Sequence, residues 1–486
     1  MSEKQIGWKF DNTYPKLPSI MLSKIKPTPV KNPKIIILNN DLSKEIGLDF
    51  SKVNKNELAL IFSGNKLPKG SEAISQAYAG HQFGHFTILG DGRAHIIGEH
   101  ITNQKKRFDI QFKGSGPTPY SRNADGRAAL GPMLREYLIS ESMHNLGIPT
   151  TRSLAVIKTG ENVIRETNLE GAILTRVASS HIRVGTFQFA LISEDTNHLK
   201  SLFNYTIKRH YPNLLKSKNS AIELLQSVLE KQIDLICHWM RVGFVHGVMN
   251  TDNMTISGET IDYGPCAFLD NYDPGTVFSS IDKYGRYAYY NQPRIAKWNL
   301  ERFAECLLPL INQDNKKAVG IATEVLGEFP NKYKKKWLEM MRKKLGFAGE
   351  EKIDEELIVE LLTWMHKNNA DYTNTFCYLM ENLKVDSNVF QDEQFKIWKK
   401  KWVDRSQLNN NTFKNRLNMM KKANPLVIPR NYHVEEALKN AVENNDLNKF
   451  NNLVNVIKNN NCDATTLSLF QSPGQSDKKY VTYCGT

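Results

Sequence analysis

Three polar residues that lie close together in the chain, Asp252, Asn253 and Asp262, have side chains that could do chemistry. Carboxylate and amide oxygens are the ligands that Mg²⁺ prefers, and in phosphate chemistry this ion bridges phosphate oxygens. Asn253 and Asp262 could therefore hold a metal ion, whereas the carboxylate of Asp252 could accept a proton. Each residue alone could also be a turn residue or a helix cap, and it is their proximity that favours a functional site.

A second candidate pair is Lys113 and Glu136. Lys113 ends the alternating pattern of residues 108–113, which predicts a strand, and Glu136 falls within the apolar repeat of residues 130–138, which predicts a helix. A strand lysine that is held by a helix glutamate and directed at nucleotide phosphates is a recurring arrangement. The alternative is an exposed lysine and a solvated glutamate.

The third feature is the sequence GDGR at residues 90–93, which separates predicted strands at 87–89 and 94–97. Gly90 and Gly92 would let the backbone approach a phosphate closely, and neighbouring N–H groups could surround it. On its own, however, a Gly-Asp-Gly turn is also typical of an ordinary hairpin.

These features follow one another in the order of the protein-kinase fold: glycine hairpin, strand lysine, helix glutamate, long helix (residues 222–240) and a polar loop. His246 and Asn253 match the first and last residues of the kinase catalytic loop H-R-D-x-x-x-x-N. The catalytic aspartate of that loop then corresponds to Val248. Because valine cannot accept a proton, the sequence has the nucleotide and metal residues of a kinase without its usual base.

Strand patterns come first in the chain and helix patterns dominate later, which predicts an α+β fold. We expect a bilobal, protein-kinase-like fold with an N-terminal extension that wraps the lobes and additional C-terminal helices. The β-rich N-lobe would bind the nucleotide, and the helical C-lobe would carry the catalytic loop and the metal site. The predicted bounds are 1–85 for the extension, 86–178 for the N-lobe, 179–385 for the C-lobe and 386–486 for the C-terminal helical region with its cysteine-bearing tail.

Composition sets further limits. The chain has 486 residues, of which 40% are hydrophobic and 24% charged, an ordinary balance for a protein that buries a core. This excludes a wholly disordered chain and a disulfide-stapled miniprotein. The cysteines lack C-x-x-C spacing, so a structural zinc site is not expected. The sequence has no apolar run long enough to span a membrane and no recognisable secretion signal, so we expect a cytoplasmic protein.

The net charge of +13 could attract nucleic acid, a membrane surface or an anionic small ligand. Lysines alternate with aromatic residues at 332–337 and 395–402, a pattern that also occurs in nucleic-acid binders. We interpret both segments as amphipathic helices with solvated basic faces. Neither nucleic acid nor a membrane is therefore an expected partner.

Several longer motifs resemble the selenoprotein O (SelO, also called YdiU) family. They are YAGHQFG at 78–84, LGDGR at 89–93, FKGSGPTPYSR at 112–122, DGRA at 125–128, HGVMNTDN at 246–253 and DYGPC at 262–266. The resemblance implies a kinase-fold enzyme that transfers AMP, rather than phosphate, from ATP to hydroxyl groups of proteins and releases pyrophosphate. In this family the nucleotide is reversed relative to kinases, so that its α-phosphate meets the acceptor.

The resemblance also implies roles for individual residues. The residues implied to contact ATP are Gly90, Gly92, Arg93, Lys113, Asp125, Gly126, Arg176 and Arg183. The implied ligands of Mg²⁺, or of Mn²⁺ in its place, are Asn253 and Asp262. Glu136 would position Lys113, and Asp252 would accept the proton. For the two arginines Arg176 and Arg183, which would hold the phosphate at the far end, the residues alone leave a salt bridge as the alternative.

The tail is a further point of resemblance, because the family often carries a selenocysteine or cysteine near its C-terminus. Here that residue is Cys484, and Cys266 lies where the activation segment of a kinase would begin. We hypothesise that Cys484 pairs with another thiol on oxidation, with Cys266 as the first candidate, and so couples activity to redox state. Two free cysteines are the alternative.

Other functions stay open at this stage. A phosphotransferase could use Asp252 as the base at a γ-phosphate, although Val248 disfavours this. A catalytically inactive fold could bind nucleotide as an adaptor, although it would not need both metal ligands. Transfer of UMP from UTP is also open, since no residue that reads the base can be identified. The motifs specify neither the substrate proteins nor the oligomeric state.

Overall fold

The strand and helix patterns of the sequence appear as one large sheet followed by many helices in the computed structural model, which describes residues 6–193, 195–409, 411–459, 463–474 and 480–482. The strands are β1 (Leu22–Lys24), β2 (Lys34–Leu38), β3 (Ile74–Gln82), β4 (His85–Gly90), β5 (Ala94–Ile101), β6 (Arg107–Lys113), β7 (Ala128–Ala129), β8 (Arg152–Ile164), β9 (Asn168–Ala178), β10 (Phe244–Val245) and β11 (Ala267–Phe268).

Helices make up most of the rest of the described chain. They are α1 (Asn40–Glu45), α2 (Lys55–Phe62), α3 (Leu130–Asn145), α4 (Val184–Ile192), α5 (Thr196–His210), α6 (Ser220–Val242), α7 (Gln292–Ile311), α8 (Asn315–Gly327), α9 (Phe329–Leu345), α10 (Asp354–Lys367), α11 (Tyr372–Leu379), α12 (Glu393–Ser406), α13 (Phe413–Ala423), α14 (Asn431–Glu443), α15 (Asn448–Lys458) and α16 (Ala464–Gln471). The predicted α+β class is confirmed.

The large sheet is antiparallel and has the strand order β1-β3-β5-β6-β9-β8-β2, with β4 paired to β3 and β7 paired to β9. The strands predicted at 87–89, 94–97 and 108–113 lie in β4, β5 and β6. Residues 1–85, for which the sequence predicts an extension that wraps the lobes, supply β1, β2 and β3 to this same sheet. The sequence pattern does not reveal β1 and β2, because each pairs with a strand far along the chain rather than with its neighbour.

Helix α3 packs against β8 and β9 through Met133, Leu134 and Leu138, which recur at helical spacing and are fully buried. This packing carries Glu136, on the same helix, under the sheet. The basic and aromatic segments at 332–337 and 395–402 lie in α9 and α12. In the described part of the chain, no helix is both long enough and apolar enough to cross a membrane.

Helix α6 ends at Gly243, whose φ of 73° is the left-handed conformation that favours glycine at a helix terminus. The two short strands β10 and β11 then pair antiparallel and close a loop over residues 246–266. That loop contains Asp252, Asn253 and Asp262, so one hairpin presents all three candidate residues of the first motif.

Candidate active site

A cavity of about 440 Å³ lies between the sheet and the 246–266 loop. This volume is within the range of small-molecule sites. The predicted site residues that line it are Gly90, Gly92, Arg93, Lys113, Asp125, Gly126, Arg176, Arg183, Asp252, Asn253 and Asp262. Residues far apart in the sequence therefore meet at one site. Glu136 lies behind the cavity and reaches it through Lys113.

A buried ion network joins the sheet, α3 and the loop. Lys113 Nζ lies 2.7 Å from Glu136 Oε2 and 2.8 Å from Asp262 Oδ1. Arg176 joins the same two carboxylates, with Nε 2.9 Å from Glu136 Oε1 and Nη2 2.6 Å from Asp262 Oδ1. Gln111 pairs with Arg176 across β6 and β9, so Lys113, two residues further along β6, points to the same face.

Each carboxylate of the network stays ionised. Burial alone would raise the pKa of Asp262, but Arg176 and Lys113 outweigh it and hold this pKa well below its usual range. The same two cations lower the pKa of Glu136 against the effect of burial. Two positive and two negative charges therefore neutralise one another, and Asp262 ties the loop to the sheet.

Asp252 differs from these carboxylates because its charge is not paired. Its side chain lies in a short 3-10 turn, Thr251–Asn253, and is buried. Its Oδ1 atom has no hydrogen-bond partner among the described residues. Burial raises the pKa of Asp252 to about 6, an effect that the positive charge of Arg183 offsets only in part. A carboxyl group with such a pKa is suited to accept a proton near neutral pH.

Close backbone packing holds Asp252 in place. A Cβ atom added at Gly80 would overlap Asp252 Oδ1, and one added at Gly185 would overlap the carbonyl oxygen of Ala79. His81 N donates a hydrogen bond of 2.7 Å to Thr251 Oγ1, which in turn donates to Gln188 Oε1 at 2.6 Å. Sequence reasoning placed residue 80 in a family motif but gave it no role, because the contact joins β3 to a loop far along the chain.

The two candidate metal ligands keep oxygens toward the cavity. Asn253 donates through Nδ2 to the carbonyl oxygen of Val248 at 3.0 Å, which fixes the amide and leaves its Oδ1 for a cation. The ion pairs of Asp262 described above all use Oδ1. In the parts of the chain that the structure describes, no group of three or more His, Cys, Asp or Glu side chains could hold a metal by itself. Two oxygen ligands suit Mg²⁺, which commonly keeps water and phosphate oxygens as its other ligands.

The glycine hairpin is built against the loop that follows β6. Gly90 has φ of 158°, and a Cβ there would overlap the ring of Tyr120, while a Cβ at Gly92 would lie 2.8 Å from the carbonyl oxygen of Tyr120. Thr118 Oγ1 donates to the carbonyl oxygen of Asp91 at 2.8 Å, and Ser121 donates to that of Gly92. The glycines are therefore required by close packing, which the hairpin pattern alone did not reveal.

The two arginines occupy different environments. Arg176 has the carboxylate partners that the alternative interpretation expected, and it also lines the cavity. The guanidinium of Arg183 lies 4.3 Å from the ring centre of Tyr78, and its Nη2 is 3.6 Å from Asp91 Oδ1, a loose ion pair. Its buried Nε has no hydrogen-bond partner among the described residues. Arg183 therefore has capacity for a further anion.

At the rim of the cavity, Asp125 pairs with Arg165 at 2.8 Å and holds the loop that ends in Gly126. Gly126 has φ of 65°, and a Cβ there would overlap the backbone of Gly116. Arg165 lines the cavity as well, and the sequence gave no signal for it, since it follows a strand with no motif around it.

Cys266 is buried, and burial raises the pKa of its thiol to about 11. Cys484, its hypothetical disulfide partner, lies outside the described residues. The nearest described part of the tail is Thr482, whose Oγ1 donates to the carbonyl oxygen of Pro265 at 2.8 Å. The redox hypothesis stays a hypothesis.

Several relatives cover the whole length of this chain. A protein nucleotidyltransferase YdiU from Pelagibacter ubique (strain HTCC1062) is 58% identical over 485 residues, 99% of this chain and 100% of the relative. Proteins with the same name from Nitrosococcus oceani and Bacillus cytotoxicus are 55% and 53% identical, over 487 and 484 residues, and cover 99% or more of both chains. These relatives define an enzyme of the nucleotidyltransferase class.

The family follows from a second comparison. The family described as "Protein adenylyltransferase SelO" matches residues 5–458. The chain belongs to this family, and the resemblance seen in the sequence motifs is confirmed. Membership implies a nucleotide as co-substrate and proteins as substrates.

Proposed function

We propose that this protein transfers AMP from ATP to serine, threonine or tyrosine hydroxyls of other proteins. The nucleotide would lie in the cavity between the sheet and the 246–266 loop, with its α-phosphate toward Asp252. The fold would be that of a bilobal protein kinase, with the N-lobe over residues 86–178 and the C-lobe over 179–385. The lysine–glutamate pair between β6 and α3, and the loop between β10 and β11, support this assignment.

One observation carries the proposal: the unpaired carboxylate of Asp252 shares its cavity with Lys113, Arg176 and Arg183, while Val248 stands at the position of the kinase base. A proton acceptor is thus present at a different place from that of a kinase. The cations supply positive charge at the same cavity, where the triphosphate would develop negative charge as it reacts.

In the proposed reaction, the acceptor hydroxyl oxygen forms a bond to the α-phosphorus, and the bond between that phosphorus and the bridging oxygen to the β-phosphorus breaks. Pyrophosphate leaves with the electron pair, and the hydroxyl proton passes to Asp252. Arg183, with its free Nε, would hold a phosphate oxygen, and guanidinium groups can contact phosphates through two hydrogen bonds. The base could contribute a factor of about 100 to 10,000 in rate.

Asn253 and Asp262 would hold Mg²⁺, or Mn²⁺ in its place, since amide and carboxylate oxygens of this cavity suit a hard cation. When bound, the ion would neutralise charge on the phosphates. The chain's own contribution is orientation: Asn253 is fixed by its hydrogen bond to Val248, and Asp262 by Lys113 and Arg176.

The test uses ATP labelled separately at the α- and γ-phosphates, with Mg²⁺ and a mixture of candidate proteins. Label from the α-position in protein, with release of pyrophosphate, is the expected result. Label from the γ-position would instead establish a phosphotransferase, and no label from either would leave only nucleotide binding. A parallel reaction with α-labelled UTP distinguishes AMP transfer from UMP transfer.

A further inference from the structure

A second cavity, of about 690 Å³, adjoins the proposed catalytic loop and has no role in the function described so far. We call it the acceptor groove. It lies between the β3–β4 turn, the segment 281–291 and the start of α7. The residues that matter for its chemistry are Phe83, Lys283, Tyr284, Arg286, Arg294 and Trp298.

The acceptor groove is positively charged. Lys283, Arg286 and Arg294 line it, and none of them forms an ion pair with a carboxylate among the described residues. Asp282 is the one carboxylate among the described residues that line the groove, and it is buried. Its two oxygens accept hydrogen bonds from the backbone N–H groups of Arg286 and Tyr287, at 2.9 and 2.8 Å. The groove therefore presents three cations and one buried carboxylate that is already bonded to the backbone, and its net charge is positive.

Aromatic side chains hold part of this charge in place and expose an apolar surface. The guanidinium of Arg286 lies 4.7 Å from the ring centre of Trp298, a cation–π contact that restricts its rotation. Tyr284 is 98% exposed and Tyr290 is 61% exposed, so two tyrosines stand free at the edge of the groove. Exposed aromatic groups beside unpaired cations are typical of a surface that binds another macromolecule.

The acceptor groove lies beside the cavity between the sheet and the 246–266 loop, which we call the nucleotide cavity. Gln82 lines the nucleotide cavity, and the next residue, Phe83, lines the groove. Asn250, two residues before Asp252, accepts hydrogen bonds from Phe83 N at 3.1 Å and from the Tyr287 hydroxyl at 2.6 Å. The wall between the two cavities is thus one turn of chain, fixed to the loop that carries the proposed proton acceptor.

We propose that the acceptor groove binds an acidic segment of the substrate protein, next to the hydroxyl that receives the nucleotide. The inference rests on the proposed function. Charge complementarity selects the occupant, since the free cations can be neutralised by glutamate or aspartate side chains. Nucleic acid would also be attracted by cations and tyrosines. The groove, however, opens beside the proposed site of a protein substrate. An acidic protein segment fits both the positive charge of the groove and this position.

The experiment measures binding to the full chain of three fluorescent peptides, each with a central serine flanked by glutamates, by lysines or by asparagines. We expect the glutamate peptide to bind about tenfold more tightly than the lysine peptide, and rising salt to remove the difference.

The double charge reversal Lys283→Glu with Arg294→Glu should invert the preference. Both residues are exposed, so the fold should tolerate the change. The matched control is Lys316→Glu with Lys317→Glu, two exposed lysines of α8 away from the groove, which should leave the preference unchanged.

Equal binding of the three peptides, or no effect of the groove reversal, would overturn the inference. Binding of a single-stranded oligonucleotide that the groove reversal abolishes, without binding of the glutamate peptide, would overturn it in favour of nucleic acid. The α-labelled ATP assay, run with the same peptides, separates this outcome from the proposed function. Equal labelling of all three peptides, by the wild type and by the groove reversal alike, would support AMP transfer and contradict a role of the groove in binding the substrate. Selective binding without any α-label would keep the groove and reject AMP transfer.

Discussion

The nucleotide cavity holds its carboxylates in two opposite ways. In the ion network, Glu136 of α3 and Asp262 of the 246–266 loop are paired with Lys113 and Arg176, and their pKa values are lowered. In the short 3-10 turn of the same loop, Asp252 is buried and has an oxygen with no hydrogen-bond partner among the described residues, and its pKa is raised. One cavity therefore combines paired carboxylates, which can position a substrate, with an unpaired carboxylate, which can exchange a proton.

The largest expected effect is on kcat, when the unpaired carboxylate of Asp252 is removed. Asp252→Asn removes the proton acceptor while keeping the shape of the side chain, so kcat for nucleotide transfer should fall by about 100- to 10,000-fold. Affinity for ATP, measured by calorimetry, should change little. The control is Asp41→Asn, a carboxylate that is 77% exposed on the surface. Turnover at the wild-type rate in Asp252→Asn would show that another group takes the proton.

Replacing a carboxylate by its amide should have opposite effects on stability at the paired Glu136 and at the unpaired Asp252. Glu136→Gln breaks a buried network and leaves Lys113 and Arg176 without a full partner, so the free energy of unfolding should fall by about 3 kcal/mol. Asp252→Asn replaces an unpaired buried charge by a neutral group and should raise it by about 1 to 3 kcal/mol. Urea unfolding in the presence of a chelator measures both. Effects of the same sign would contradict the difference between the paired carboxylate of Glu136 and the unpaired carboxylate of Asp252.

Packing against the poised carboxylate can be tested separately. Gly80→Ala would place a methyl group on Asp252 Oδ1 and displace it, so kcat should fall by about 100-fold with the fold retained. Gly327→Ala is the matched control, because a Cβ there meets nothing within 4 Å. Circular dichroism and transfer of α-label give the two measurements. Unchanged kcat in Gly80→Ala would mean that the position of Asp252 is not critical.

The smallest expected effect is on the pH dependence of stability, and it comes from a buried histidine. His210 donates to or accepts from Ser180 Oγ at 2.7 Å, and burial, with help from Arg209, lowers its pKa from 6.5 to about 3. Because the unfolded chain binds a proton below pH 6.5 and the folded chain does not, the free energy of unfolding falls as the pH decreases. The contribution of His210 between pH 7 and pH 5 should be about 2 kcal/mol. His210→Gln should lack this part of the pH dependence in urea unfolding, and a profile parallel to that of the wild type would contradict the assignment.

Much of the site could be predicted from the sequence where the chemistry is local. Lys113 at a strand end, Glu136 in an apolar helix repeat and the cluster of Asp252, Asn253 and Asp262 each carry a pattern that neighbouring residues define. The strands of the first 85 residues could not be predicted in this way, because β1 and β2 are stabilised by pairing with β3 and β8 rather than by their own pattern.

The residue types of this cavity, their order and the family of the chain follow from the amino-acid sequence alone. Their charge states and partners depend on the folded chain: Arg176 is bound to two carboxylates, Arg183 has a nitrogen with no hydrogen-bond partner among the described residues, and Gly80 lies against Asp252. The physical reason is that pKa shifts and close contacts depend on burial and on distance between side chains, and residues such as Gly80 and Asp252 become neighbours only when the chain folds.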